Sequence, residues 1–170
     1  MKKFLCFLLC LVFGLSLASC DNSKTFTKEG VTITLENGWR EFESPYAAVA
    51  YQSNKAAFSV NKENPKDYVG YSFFSDKEHP SKYGDLILSF NNAKLDGNDA
   101  PACVDEKTNN GSYFAYSTYD NVVNEISFRY MLVVMYGENT LYLMNFCCAN
   151  SEFDGLKNTF ISYSKTIVVE

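Results

Sequence analysis

The run Glu125-Ile126-Ser127-Phe128-Arg129-Tyr130-Met131-Leu132-Val133-Val134-Met135-Tyr136-Gly137-Glu138-Asn139-Thr140-Leu141-Tyr142-Leu143-Met144-Asn145-Phe146-Cys147-Cys148 decides the fold class. Two segments rich in aromatic and β-branched residues, Glu125–Tyr136 and Thr140–Cys148, flank a Gly137-Glu138-Asn139 turn, the pattern of a β-hairpin. Successive side chains on a strand point to opposite faces. Phe128, Tyr130, Leu132 and Val134 therefore share one face, and Met131, Val133 and Met135 share the other. With both faces apolar, this strand belongs in the middle of a sheet that is covered on two sides.

Downstream, Ser151 suits the cap of a closing helix in which Phe153, Leu156 and Phe160 recur at helical spacing. Asp154 falls in its first turn, where the helix dipole favours an acid, and Ile167–Val169 reads as a last strand. Upstream, Val104–Thr108 and Ser112–Tyr119 read as strands closed by Asn109-Asn110-Gly111. A polar loop through Asp96-Gly97-Asn98-Asp99 precedes them. From Pro80 to Asn92 the period changes, since Tyr83, Leu86, Ile87 and Phe90 fall on one helical stripe and Pro80 suits a helix start.

Nearer the beginning, Val31, Ile33 and Leu35 alternate with Thr32 and Thr34, and Glu36-Asn37-Gly38 turns the chain into Trp39–Phe42, giving a first hairpin. Ala47–Gln52 and Ala56–Lys62 are two more strands. Glu63–His79 is the least regular stretch, with Pro65, Gly70 and mixed charges. Its Tyr68, Tyr71, Phe73 and Phe74 are candidate partner-binding residues, because loops carry function and aromatics anchor contacts. The alternative is a loop that tucks these rings into the core. The elements add up to an α+β fold: a single antiparallel β-sheet flanked by helices.

The first residues carry a different message. Met1-Lys2-Lys3, an apolar run from Phe4 to Leu17, and small residues after it fit a secretory leader too short to span a membrane comfortably. Leu17-Ala18-Ser19-Cys20 resembles the lipobox of bacterial lipoproteins. That resemblance implies that residues 1–19 are cut away and that Cys20 becomes the first mature residue, lipidated on sulfur and acylated on its new amino terminus. Two or three acyl chains anchor a domain stably where one does not. The alternative is ordinary cleavage near Ala18 or Ser19. The expected organisation is a signal peptide over 1–19, a lipidated tether over 20–25 and one domain over 26–170. The expected place is the cell membrane, lipid-anchored, with the domain on the extracytoplasmic side.

The leader carries Lys2 and Lys3 and no acid, so its loss moves the formal charge of −5 by two, to −7. That charge repels nucleic acid and anionic headgroups. Of six cysteines, Cys6 and Cys10 leave with the leader and Cys20 is the lipid site. In an exported domain Cys103 with Cys147 or Cys148 is a candidate disulfide. Adjacent strand residues face opposite ways, so at most one of Cys147 and Cys148 faces Cys103. The alternative is three small buried apolar side chains.

The stretches Gly30-Val31-Thr32-Ile33-Thr34-Leu35-Glu36-Asn37-Gly38-Trp39 and Phe160-Ile161-Ser162-Tyr163-Ser164-Lys165-Thr166-Ile167 resemble the PsbP-like superfamily, whose members open with a strand, a turn and a Gly-Trp pair and close with a helix feeding a short strand. The resemblance implies an antiparallel sheet flanked by helices. It also implies binding without catalysis, since the superfamily includes photosystem accessory subunits, a Ran-binding factor, envelope lipoproteins and chaperone-like adaptors.

Catalytic equipment is sparse. His79 is the one histidine, beside Pro80 in a polar loop, and His-Glu-x-x-His, Cys-x-x-Cys, Gly-x-Ser-x-Gly and phosphate-loop patterns are missing from the sequence. Asp96, Asn98 and Asp99 lack the ordered ligand series of a calcium loop. The expectation is a non-enzymatic, membrane-anchored binding or adaptor module for another envelope or exported protein, with no cofactor, no metal and no nucleic acid. The alternative, suggested by the surplus of Tyr and Phe, is a carrier of a small apolar ligand in a pocket between sheet and helix. A hydrolase ranks third.

Overall fold

The computed structural model describes residues 22–64, 76–123 and 125–170. β1 (Ser23–Lys28) and β2 (Val31–Glu36) form a hairpin whose turn residues, Glu29 and Gly30, both take positive φ, 53° and 75°. Two-residue hairpin turns need this backbone to match the strand twist. β2 buries Val31, Ile33 and Leu35 on one side while its threonines meet those of β1, Thr25 to Thr34 at 2.9 Å and Thr27 to Thr32 at 3.0 Å. The chain then leaves this sheet. β3 (Arg40–Glu41) pairs with β4 (Val49–Gln52), and β4 with β5 (Ala56–Glu63).

Helix α1 (Ser81–Phe90) follows, then β6 (Lys94–Leu95), β7 (Asn98–Asp99), β8 (Val104–Lys107), β9 (Tyr113–Val123), β10 (Ile126–Tyr136) and β11 (Leu141–Ala149). A 3₁₀ turn over Asn150–Glu152 leads into α2 (Phe153–Ser164), and β12 (Val168–Val169) ends the fold. The large sheet runs β3-β4-β5-β11-β10-β9-β6-β7, with β8 also on β9; the small one runs β1-β2-β12. All the pairings are antiparallel.

β10 is buried on both faces, as its sequence requires. Met131, Val133 and Met135 pack with Phe58, Phe146 and the buried residues of β2 and α2, whereas Leu132 and Val134 pack with Tyr83 and Leu88 of α1. Phe146 stacks on Phe160 at 4.9 Å and Trp39 meets Tyr163 edge-on at 6.0 Å, which fastens α2 over the first core. Truncating a ring such as Phe146, which is fully buried, removes about 3–5 kcal/mol of stability.

Three expectations are corrected. The fold holds two sheets rather than one, because β2 pairs with β1 and β12, and the turn after Glu36 carries the chain to another layer instead of closing a hairpin on Trp39–Phe42. Gly38, at φ 104°, permits that change of direction. Strand structure begins at Ser23, inside the stretch read as a tether. Asp96 and Gly97, both at positive φ, form the tight turn of the small β6–β7 hairpin rather than an open loop.

Candidate functional site

On one face of the large sheet, α1 packs over β10 and ends at Phe90. Asn91 follows its last turn and donates Nδ2 to the carbonyl of Ile87 at 2.8 Å. Beyond this end a cleft of about 470 Å³ opens between the helix and strands β5, β9, β10 and β11. Its floor is Leu132 and Leu143, and its helix wall is Ile87 and Leu88. Five amide side chains surround that apolar centre: Asn61, Asn91, Asn92, Asn121 and Asn145. The volume lies within the range of small-molecule sites, about 300–1,000 Å³.

Strand register explains the arrangement. Asn61 lies opposite Leu143, and Asn145 lies opposite Leu132, so the amides and leucines share one face. Tyr119 stacks on Tyr130 at 5.1 Å and reaches across β10 to donate its hydroxyl to Oδ1 of Asn145 at 3.1 Å. Burial pushes the Tyr119 phenol well above its ordinary pKa, so it stays a donor. With Oδ1 of Asn145 accepting that bond, its Nδ2 is left to donate into the cleft.

The nearby charges are matched within the fold. Lys94 pairs with Asp99 at 2.5 Å, and Arg129 holds Asp120 at 2.7 Å while also bonding Asp96. Asp96 and Asp99 are thus taken up by cations. Among the described residues no group of three or more His, Cys, Asp or Glu side chains is arranged to hold a metal ion.

The hairpin of β9 and β10 runs past its neighbours. β11 pairs with β10 only from Phe128 onward, and β6 meets β9 at Asp120, so the tip extends free of the sheet. It carries Val122, Val123 and Ile126, which are 64%, 43% and 56% exposed. Glu125, with Asp96 and Asp120 sharing the one cation of Arg129, leaves its surroundings net acidic.

Cys103, Cys147 and Cys148 are free thiols in the structure. Cys148 belongs to the α2 side and Cys103 to the α1 side. Cys147 lies opposite Tyr130, while Cys103 lies against Gly84 and its amide donates to Asp85 Oδ1 at 2.6 Å. Burial, then the Asp85 carboxylate, pushes the Cys103 thiol far up, the reverse of what a thiolate nucleophile needs. His79 is more than half exposed, with Nδ1 3.3 Å from Asp105. Asp105 also accepts from the amide and hydroxyl of Ser81 at 2.8 and 2.6 Å, so this carboxylate caps α1 from a neighbouring strand. Cys20, Tyr68, Tyr71, Phe73 and Phe74 lie outside the described residues.

The sequence reading offered a pocket between sheet and helix as its alternative without placing it or naming its lining, and it did not find the hairpin tip. One signal was available for the cleft: Asn145 interrupts the most apolar strand, at a position where a polar amide is out of place unless it has work on one face.

No protein family and no curated protein matches the chain by sequence. Solved structures do match in shape. Cyanobacterial PsbP (CyanoP) from Synechocystis superposes with a TM-score of 0.62 at 14% identity, over 91% of this chain and 96% of that one. A protein from Bacteroides thetaiotaomicron gives 0.58 at 13% identity, over 88% of this chain and 49% of that one. The Ran-binding protein Mog1p of Saccharomyces cerevisiae gives 0.52 at 9% identity, over 87% and 95%. The chain has a PsbP-like fold. At these identities the likeness concerns the fold alone.

Proposed function

We propose that this chain is a non-enzymatic binding module, held at the outer face of a membrane by lipid on Cys20, that grips another envelope or exported protein through the tip of the β9–β10 hairpin. The observation that carries the reading is the exposure of Val122, Val123 and Ile126 on a hairpin that outruns its sheet. Apolar side chains with a polar rim are the makings of a protein contact. Asp96 and Asp120 share the single cation of Arg129 and Glu125 adds a further acid, so the net negative flank repels anionic headgroups, which favours a protein over the membrane surface as the occupant. No described helix is long and apolar enough to cross a membrane; what supports the lipid anchor is the likeness of Leu17-Ala18-Ser19-Cys20 to a lipobox. Replacing Cys20 by Ala should remove the acyl label and release the mature protein from the membrane; unchanged membrane retention with no loss of acyl label would contradict the anchor.

The triple variant Val122→Ser, Val123→Ser, Ile126→Ser tests the contact. These are surface changes and should alter stability by less than about 0.5 kcal/mol each. The expected result is a folded protein that no longer co-purifies with the partner held by the native chain. Retention of that partner at native yield counts against the hairpin.

A second reading, carriage of a small ligand, is favoured by the cleft beneath α1, whose size and leucine floor suit one.

A further inference from the structure

We propose that the cleft between α1 and the large sheet binds a neutral saccharide of one or two rings. The inference rests on the second reading, that the cleft is a ligand site, and names the chemistry of the ligand. It replaces the apolar ligand expected from the surplus of aromatics, because the ring of groups around the leucine floor is not apolar.

The argument starts from what is free to bind. Lys94 and Asp120 at the cleft are paired with Asp99 and Arg129, so the site offers no unmatched charge to an ion. The amides remain. Asn61, Asn92 and Asn121 make no side-chain hydrogen bond within the described structure, Asn145 retains its Nδ2, and Asn91 retains its Oδ1. Each amide can donate and accept, and a sugar hydroxyl does both as well. A ligand that satisfies several such groups at once must be neutral and carry many donor–acceptor groups over a small volume.

The apolar part of the site agrees. A pyranose ring has a face of C–H groups between its hydroxyls, and Leu132 and Leu143 give that face a floor while Tyr119, stacked on Tyr130, adds an aromatic wall. An extended peptide, the other neutral ligand with repeated donors and acceptors, prefers a free strand edge. The cleft lies on the face of β5, β11, β10 and β9, whose backbone groups already pair with one another. Its amides come from separate elements at irregular spacing, which suits hydroxyls around a ring better than a strand.

The test is saturation-transfer NMR on the full-length chain in a sugar-free detergent. The probes are cellobiose, maltose and N,N′-diacetylchitobiose, with acetyl-trialanine-amide as the peptide probe. The proposal expects transfer to at least one of the sugars, and a drop in its affinity of about tenfold in the Asn61→Ala, Asn121→Ala variant, which loses two neutral hydrogen bonds. Neither amide is held internally, so the variant should fold, and an unchanged circular dichroism spectrum and melting temperature verify this. Transfer to the peptide alone, lost in the variant, overturns the saccharide while leaving the cleft a binding site. Transfer to none of the probes, or sugar binding unchanged in the variant, overturns the proposal.

Discussion

Arg129 and Asp120 form a two-pronged pair between β10 and β9, with Nε donating to Oδ1 at 2.7 Å and Nη2 to Oδ2 at 3.0 Å. The two residues are register partners on adjacent strands, and the guanidinium also lies 5.9 Å from the Phe153 ring centroid. The pair therefore joins the root of the free hairpin to the start of α2. Only 11% of the Arg129 side chain and 19% of the Asp120 side chain is exposed, so water replaces the lost partner poorly.

Removing Asp120 as Asp120→Ala should destabilise the fold by about 2–3 kcal/mol in urea unfolding at neutral pH, since it leaves a largely buried cation with only the exposed Asp96 as its partner. Hydrogen bonding by Arg129 holds the Asp120 carboxyl below its ordinary pKa. A group lowered by folding contributes stability above its unfolded pKa, about 4, and loses that contribution as pH falls through the folded value. The native chain should thus weaken below about pH 4 more than Asp120→Asn does. Equal acid sensitivity in the two would show that the pair adds nothing.

Gly84 and Cys103 should be energetically coupled. A Cβ on Gly84 would stand 2.5 Å from the Cys103 Sγ, closer than packed atoms approach. Gly→Ala inside a helix ordinarily gains about 1 kcal/mol. Here overpacking against sulfur should reverse the sign, so that Gly84→Ala lowers stability in the native background and raises it in Cys103→Ala, a coupling of at least about 1 kcal/mol. Thermal melts of the four proteins in the cycle measure it, and additive effects would contradict the contact.

The thiols should react slowly while the protein is folded. Burial raises Cys103 and Cys147, and pushes Cys148 up to about 11. At pH 7.5, iodoacetamide should label these three at least about a hundredfold more slowly in the folded chain than after unfolding, and all three should take the label once unfolded without reductant. A pair that stays unlabelled after unfolding would mean a disulfide. A thiol raised by folding keeps its proton when the unfolded one has lost it, so stability should fall as pH rises above about 9.

How far the sequence spoke depended on whether a signal was local. β10 and β11 were legible because both alternations of one strand are apolar, which only a central, doubly covered strand satisfies. The stripe of Tyr83, Leu86, Ile87 and Phe90 located α1, although Phe90, 69% exposed at the helix end, falls outside the core. β1 was hidden, because Ser23-Lys24-Thr25-Phe26-Thr27-Lys28 is polar and becomes a strand only through the threonines and hydrogen bonds of β2. The second sheet was hidden for a related reason: alternation in Val31–Leu35 says that one face is buried but does not name the neighbouring strand. The cleft draws its amides from β5, the end of α1, β9 and β11, and no local pattern links positions so far apart in sequence. The exposed tip was obscured because the polar Asp120 and Asn121 end the strand at Tyr119 in the sequence reading, whereas β9 runs on to Val123 beyond its neighbours.

The most direct test of the account places a photoreactive amino acid at Val123, on the hairpin tip, and separately at Lys157, an exposed position on α2, in the full-length protein in its native host. The account predicts one discrete protein adduct from Val123 that is missing from Lys157 and disappears when Val122 and Ile126 are replaced by Ser. No adduct at Val123, or the same adducts from both positions, would contradict it.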